Sequence, residues 1–155
     1  MIMRLASKSA VVLGVFGAAL LIGAASLLTA GSAQSNGALA VGTTGDIAKD
    51  GLAVGRSRND PTQEQADRKA LQACRDFKDA PQRTRDRCRI IMTYKNECAA
   101  TAMDPKAGTP GFGYAIASTS KVAGDRAMGA CKATAGDGRE KFCALDEMVC
   151  DGDAK

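Results

Sequence analysis

Apolar positions recur along this chain with two different periods, and the switches between them mark out its elements. Gly37 to Val41 and Leu52 to Arg56 are short apolar runs separated by the turn residues Thr43-Thr44-Gly45-Asp46, which predicts two strands joined as a hairpin. Pro61 stops the second run, and Thr62 with Gln65 resembles a capping box. Ala66, Ala70, Ala73, Cys74 and Phe77 then fall on one face of a helix whose other face carries Asp67, Arg68, Lys69 and Gln72. Asp76 to Arg87 is a polar connector, and residues 89 to 95, with Ile90, Ile91, Met92 and Tyr94, predict the strongest strand. Glu97 to Met103 reads as a further strand after a bend, and Asp104 to Pro110 as a turn-rich joint.

The pattern then repeats. Phe112 to Ala117 takes the place of Leu52 to Arg56 as the strand before a helix, and Ser118 to Ser120 offers N-caps. Ala123, Ala127, Met128, Ala130 and Cys131 stand 57 positions after Ala66, Ala70, Leu71, Ala73 and Cys74. Gly124 and Gly129 weaken this second helix by roughly 1 kcal/mol each relative to alanine, so it must lean on tertiary partners. Phe142 to Val149 is the last strand, and Asp151 to Lys155 reads as a frayed tail. All six cysteines belong to the duplicated frame, each half reading helix-end Cys, strand-start Cys, strand-end Cys. The fold class is therefore α+β. We expect one small domain, residues 34–155, of two pseudo-repeated strand-helix-strand units (about 37–103 and 111–150), an antiparallel sheet packed by two helices and stapled by disulfides.

What precedes the domain changes its setting. Arg4 and Lys8 lead into an uncharged apolar run, Ser9 to Ala30, followed by Gly31-Ser32-Ala33. Charged start, apolar centre and small-residue exit are the pattern of a secretory signal peptide, residues 1–33, with Gln34 as the mature start. A run of about 20 apolar residues is also long enough to span a bilayer, so membrane attachment is expected only through this segment, if it is uncleaved. The remaining 122 residues hold 19 basic and 17 acidic side chains, a formal charge of +2. Such a mixed-sign, nearly neutral surface argues against a nucleic-acid partner.

Three Phe, two Tyr and no Trp leave the mature chain short of large apolar side chains. In an oxidising compartment, an even number of cysteines in a small domain is a disulfide framework. A helix joined by a connector to an antiparallel strand brings helix end to strand start, which pairs Cys74 with Cys88 and Cys131 with Cys143. Ten steps from Cys88 to Cys98 span roughly 33 Å when extended, whereas bridged Cα atoms lie within about 7 Å. Cys98 and Cys150, read as equivalent ends of the two halves, then pair across the pseudo-symmetry. A bend near Lys95-Asn96 would instead favour Cys74 with Cys98 and Cys131 with Cys150.

Candidate chemistry is sparse. The chain has no histidine, the commonest general base and metal ligand, and no C-x-x-C pair, so neither a metal, a cofactor nor thiol redox catalysis is expected. Ser118-Thr-Ser-Lys121 matches the S-x-x-K of serine acyl-transfer enzymes, with helix capping by Ser118 or Ser120 as the plain alternative. Asp146 and Glu147, adjacent on a strand, should point to opposite sides and not converge. Arg83, Arg85, Arg87 and Arg89 are interspersed with Asp79 and Asp86, the composition of a solvated loop. Asp151 and Asp153 offer at most a weak calcium ligand pair.

Gly37-Ala-Leu-Ala40, the polar cap before Ala66-x-x-x-Ala70-Leu71-x-x-Cys74, the strand Cys88-Arg-Ile-Ile91, Cys98-Ala-Ala100 and Ala123-x-x-x-Ala127-x-x-x-Cys131 together resemble the bacterial family called domain of unknown function 4189. The likeness runs through residues 37–150 and implies a small exported α+β protein with no activity assigned in common. This chain departs from that pattern by its longer charged connector. The reading that follows is a non-catalytic, exported protein, periplasmic or extracellular, acting on a protein partner as an inhibitor, an immunity protein or an accessory envelope factor. The competing reading is a secreted effector or small serine-type hydrolase using Ser118 and Lys121.

Overall fold

Alternation along the first strand decides the architecture. In the computed structural model, which describes residues 35–155, β1 (Asn36–Gly42) puts Ala38 and Ala40 against a helix and Leu39 and Val41 into a second apolar layer. The signal peptide expected at residues 1–33 lies outside the described residues. β1 is followed by a one-turn helix α1 (Ile47–Asp50), β2 (Ala53–Asp60), α2 (Gln63–Arg75), a second short helix α3 (Gln82–Arg85) and β3 (Arg89–Tyr94). The chain continues with β4 (Cys98–Met103), β5 (Phe112–Ala117), α4 (Ser120–Thr134), a 3-10 turn at Glu140–Phe142 and β6 (Ala144–Cys150). Among the described residues no helix is long and apolar enough to cross a membrane.

The protein is α+β, with its antiparallel strands divided between two three-stranded sheets of like order, β2-β1-β3 and β5-β4-β6. Each sheet carries its own helix on one face. Ala66, Ala70 and Cys74 of α2 pack on Ala38, Ala40 and Ala53, and Ala123, Ala127 and Cys131 of α4 pack on Cys98, Ala100 and Ala102. The other faces meet each other. Leu39, Val41 and Val54 contact Phe112 and Met103, while Tyr94 contacts Ala99 and Val149. Four layers result, in the order helix, sheet, sheet, helix.

The expected repeat boundaries require correction. β4 pairs with β5 and β6, so it opens the second unit instead of closing the first, and the duplication divides between Tyr94 and Cys98 instead of between residues 103 and 111. Local apolar pattern cannot distinguish the two divisions, because hydrogen bonding to strands further along the chain decides them.

Small residues set the spacing of helix and sheet. Fourteen of the 24 buried apolar residues are alanine, and beneath each helix one strand glycine lets the two backbones touch. A Cβ on Gly55 would lie 2.2 Å from the Ala70 carbonyl oxygen and the Cys74 nitrogen, and one on Gly113 would lie 2.2 Å from the Ala127 oxygen. The cost of glycine in a strand is met by this close approach. Each helix is then fastened at its end: Cys74 bonds Cys88 and Cys131 bonds Cys143, with Cα atoms 6.0 Å apart in both. The helix starts are capped by Thr62, whose hydroxyl accepts from the Gln65 amide, and by Thr119, which accepts from Val122.

The chain start at Ser35 and two segments read as loose in the sequence, the tail and the charged connector, are fixed. Ser35 is buried and its hydroxyl donates to Asp151 at 2.9 Å. Asp151, fully buried, also accepts from the backbone amides of Asn59 at 2.6 Å and Asn96 at 3.3 Å, so the C-terminal tail is a latch and not a frayed end. The Lys155 carbonyl completes it by accepting from the Ser120 amide. Within the charged connector, Thr84 is fully buried and donates to the Asp50 carbonyl at 2.7 Å.

Candidate functional site

Arg56 lies on β2 on the same side as Val54, which turns it into the layer between the sheets. Its Nη2 donates to Thr101 of β4 and to Asp146 Oδ2 at 2.6 Å, and its Nη1 donates to Glu147. Thr101, itself buried, donates to Asp146 Oδ2 at 2.9 Å. One guanidinium therefore holds two carboxylates and a hydroxyl from the opposite sheet.

Strict alternation would send Asp146 and Glu147 to opposite faces, and that expectation fails here for an identifiable reason. Glu147 pairs with Thr101 and Leu145 with Ala102, leaving Asp146 as an extra residue in a β-bulge. A bulge breaks the two-residue period and re-aims the side chain beside it, so both acids reach Arg56. The first unit carries the same irregularity: Leu39 pairs with Met92 and Ala40 with Ile90, leaving Ile91 as the extra residue. The duplicated bulge is thus apolar in one unit and acidic in the other.

Beside this cluster opens a cleft of about 740 Å³, within the size range of ligand sites. Ile47, Leu52, Val54, Met103 and Phe112 contribute its apolar lining, and Arg56, Asp146 and Glu147 a polar part. Asp50 and Asp104 also line it, each answered by an arginine. Arg83 reaches Asp50 Oδ1 at 2.7 Å, and Arg139 grips both oxygens of Asp104 at 2.7 Å. The Thr44 hydroxyl, then Arg83, holds the Asp50 carboxyl below the usual range. Burial would raise Asp104, but the Lys106 amide and Arg139 outweigh it and hold that carboxyl low. Behind the cluster, burial and the nearby Asp151 carboxylate push the Tyr94 phenol up to about 12, and its hydroxyl donates to the Ser57 carbonyl at 2.6 Å.

The remaining residues singled out from the sequence fall as follows. Cys98 is bonded to Cys150, and the two are directly opposite on neighbouring strands β4 and β6. Their bridge lies within the second unit and does not cross the pseudo-symmetry. Ser118 and Lys121 are not brought together by a hydrogen bond. Lys121 Nζ donates to Asp125 at 2.7 Å, and this partner raises its pKa, opposite to what a lysine base needs. The cap at this helix is Thr119, within the Ser118 to Ser120 stretch that offered N-caps, and neither flanking serine takes that role. Arg83 is tied to Asp50, and Arg85 donates to the Arg75 carbonyl and to Gln82. Asp151 is enclosed by its own partners while Asp153 is exposed, and among the described residues no group of three or more His, Cys, Asp or Glu side chains is placed to hold a metal ion.

Sequence reasoning missed Arg56 as a site residue. The available signal was its place two positions after Val54 in an apolar strand, where a charge must find partners.

Comparison with known proteins gives one family. The family described as Domain of unknown function (DUF4189) matches residues 36–150. No curated protein matches the chain, and no solved structure matches it.

Proposed function

This chain belongs to the DUF4189 family, a domain of unknown function, and from that premise we propose that it is an exported, non-catalytic module that works by binding another protein. Inhibitor, immunity protein and accessory envelope factor are the roles of this kind. The observation that carries the reading is the combination of three disulfides, leaving no cysteine free, with an open cleft at the meeting of the two units. Structural disulfides belong to oxidising compartments, the periplasm or the cell exterior. A bridged scaffold also presents a recognition surface with little ordering cost on binding.

The test is fractionation of cells making the full chain, with thiol alkylation before lysis and chemical cross-linking in place. The reading expects the protein outside the cytoplasm, unreactive to alkylation until reduced, and cross-linked to a discrete partner that is identified and rebound in pure form. A cytoplasmic protein with free thiols would defeat it. So would a hydrolytic activity of the pure protein that disappears in Ser118→Ala.

A further inference from the structure

Charge is unevenly balanced at one end of the cleft, where Asp146 and Glu147 meet Arg56. Asp50 and Asp104 each have an arginine of their own, whereas Asp146 and Glu147 share Arg56. Asp146 Oδ1 and Glu147 Oε1 take no hydrogen bond from any described residue, while Oδ2 and Oε2 are committed to Arg56. Lys49 and Lys106 also line the cleft, but neither ammonium donates to this pair. A negative charge is therefore left over beside an apolar lining. The acids are partly exposed, with 33% and 48% of their side-chain surfaces open, so they are reachable.

We propose that this cleft receives a basic side chain of a partner protein, a lysine or arginine flanked by an apolar residue. The cationic head donates to Asp146 Oδ1 and Glu147 Oε1, and the aliphatic stem with its apolar neighbour lies along Leu52, Met103 and Phe112. Long basic side chains bury their stems on apolar surface while the head stays with charge or water, and charge-assisted hydrogen bonds to carboxylates are stronger than neutral ones. Arg56 acts as the positioning residue. It fixes both acids without neutralising both, so the site is preorganised for one further cation. The proposal rests on the protein-binding reading above and names the chemistry that the partner brings to this cleft.

The experiment uses the full chain with its bridges intact and two synthetic peptides, acetyl-Leu-Lys-Leu-Trp-amide and its Glu-for-Lys counterpart. The protein has no tryptophan, so the peptide's indole fluorescence and anisotropy report binding without background. The lysine peptide should bind, more weakly as salt rises, and the glutamate peptide should not. Glu147→Gln should weaken the lysine peptide roughly tenfold, the usual scale for a hydrogen bond to a charged group. Equal affinity for both peptides, absence of binding, or an unchanged dissociation constant in Glu147→Gln would overturn the proposal. Reversing charge on the peptide tests the contact without touching the protein, so a misfolded variant cannot obscure the answer. A cross-linked partner whose capture ignores Glu147→Gln sinks the cleft assignment and leaves the binding reading standing. Peptide binding without any cellular partner does the reverse.

Discussion

Replacing Cys98 and Cys150 together by alanine should cost more stability than replacing either of the other bonded pairs. The bonded positions are 52 residues apart, against 14 for Cys74 with Cys88 and 12 for Cys131 with Cys143. A bridge that works by restricting the unfolded chain contributes in proportion to the logarithm of the loop it closes. That gives about 4 kcal/mol for the long loop and about 3 kcal/mol for each short one. The loop closed by Cys131 and Cys143 is nested inside the long one, which lowers the long-loop figure by only a few tenths of a kcal/mol. A domain of this size has of order 6–18 kcal/mol of net stability, so one bridge is a large share. The measurement is urea unfolding of the three double variants, each with its other two bridges oxidised. The Cys98/Cys150 variant should have the lowest unfolding free energy and melt on the order of 10–20 °C below the parent. If it proved no less stable than the Cys131/Cys143 variant, the cross-links would be acting through local packing at the helix ends, and the chain-entropy account would be wrong.

Four further outcomes follow from the geometry. Gly55→Ala and Gly113→Ala should each lose at least 1–3 kcal/mol by overpacking, because the new Cβ meets helix backbone; Gly129→Ala, with nothing within 4 Å of its new Cβ, should gain up to about 1 kcal/mol in the same denaturation assay. Arg56→Met leaves two partly exposed carboxylates and the buried Thr101 hydroxyl without their shared cation and should cost about 1–3 kcal/mol, with a double-mutant cycle to Asp146→Asn showing coupling. In alkaline titration followed by tyrosine absorbance, Tyr94 should ionise only near pH 12 in the folded protein; a raised folded pKa means its stabilisation is complete below roughly pH 10 and is lost between there and about 12. Asp50 and Asp104 run the other way: both are held low, so their stabilisation is present above roughly pH 4 and is lost as pH falls through their folded values, and Arg139→Gln should move the acid unfolding midpoint upward.

What could be read in advance was whatever local chemistry determines. Thr62 before a helix-period run, Ala66, Ala70 and Cys74 on one face, and the short apolar run Gly37 to Val41 each depend on residues within a few positions, and each lies where its pattern puts it. The two helix-end bridges were legible because each helix-end cysteine is followed by a second one, 14 and 12 positions on, whereas Cys98 opens β4 and does not close the first half. What escaped depends on partners far along the chain. Asp151 looks like a loose terminal acid until Ser35, 116 residues earlier, and the Asn59 amide are placed around it. Thr84 sits among arginines in a stretch that composition marks as solvated, yet the Asp50 carbonyl and the close approach of Gly42 bury it.

The acidic pair is the most instructive case. Asp146 and Glu147 were set apart by the two-residue period of a strand, and a single inserted residue was enough to reverse the conclusion. The local pattern does not locate that insertion, because Ala144 to Val149 sets its two acids side by side and has no alternation for a bulge to interrupt. The duplication does mark it, since the first unit has its bulge at the corresponding place with Ile91 as the extra residue. Aligned by structure, Leu39 and Met92 of the first sheet correspond to Thr101 and Glu147 of the second, so one half keeps apolar side chains where the other has become polar. A buried hydroxyl and two carboxylates at such positions cost stability unless a cation answers them. Arg56 comes from the opposite sheet to do so, which makes the cluster a product of divergence between the halves. Replacing Thr101, Asp146 and Glu147 by their first-unit counterparts Leu, Ile and Met, together with Arg56→Leu, should therefore give a protein at least as stable as the parent in urea. The same protein should no longer distinguish the lysine peptide from the glutamate peptide. A large loss of stability in that four-site variant would mean that the cluster is a structural clasp, and that the second unit did not become polar for the sake of its cleft.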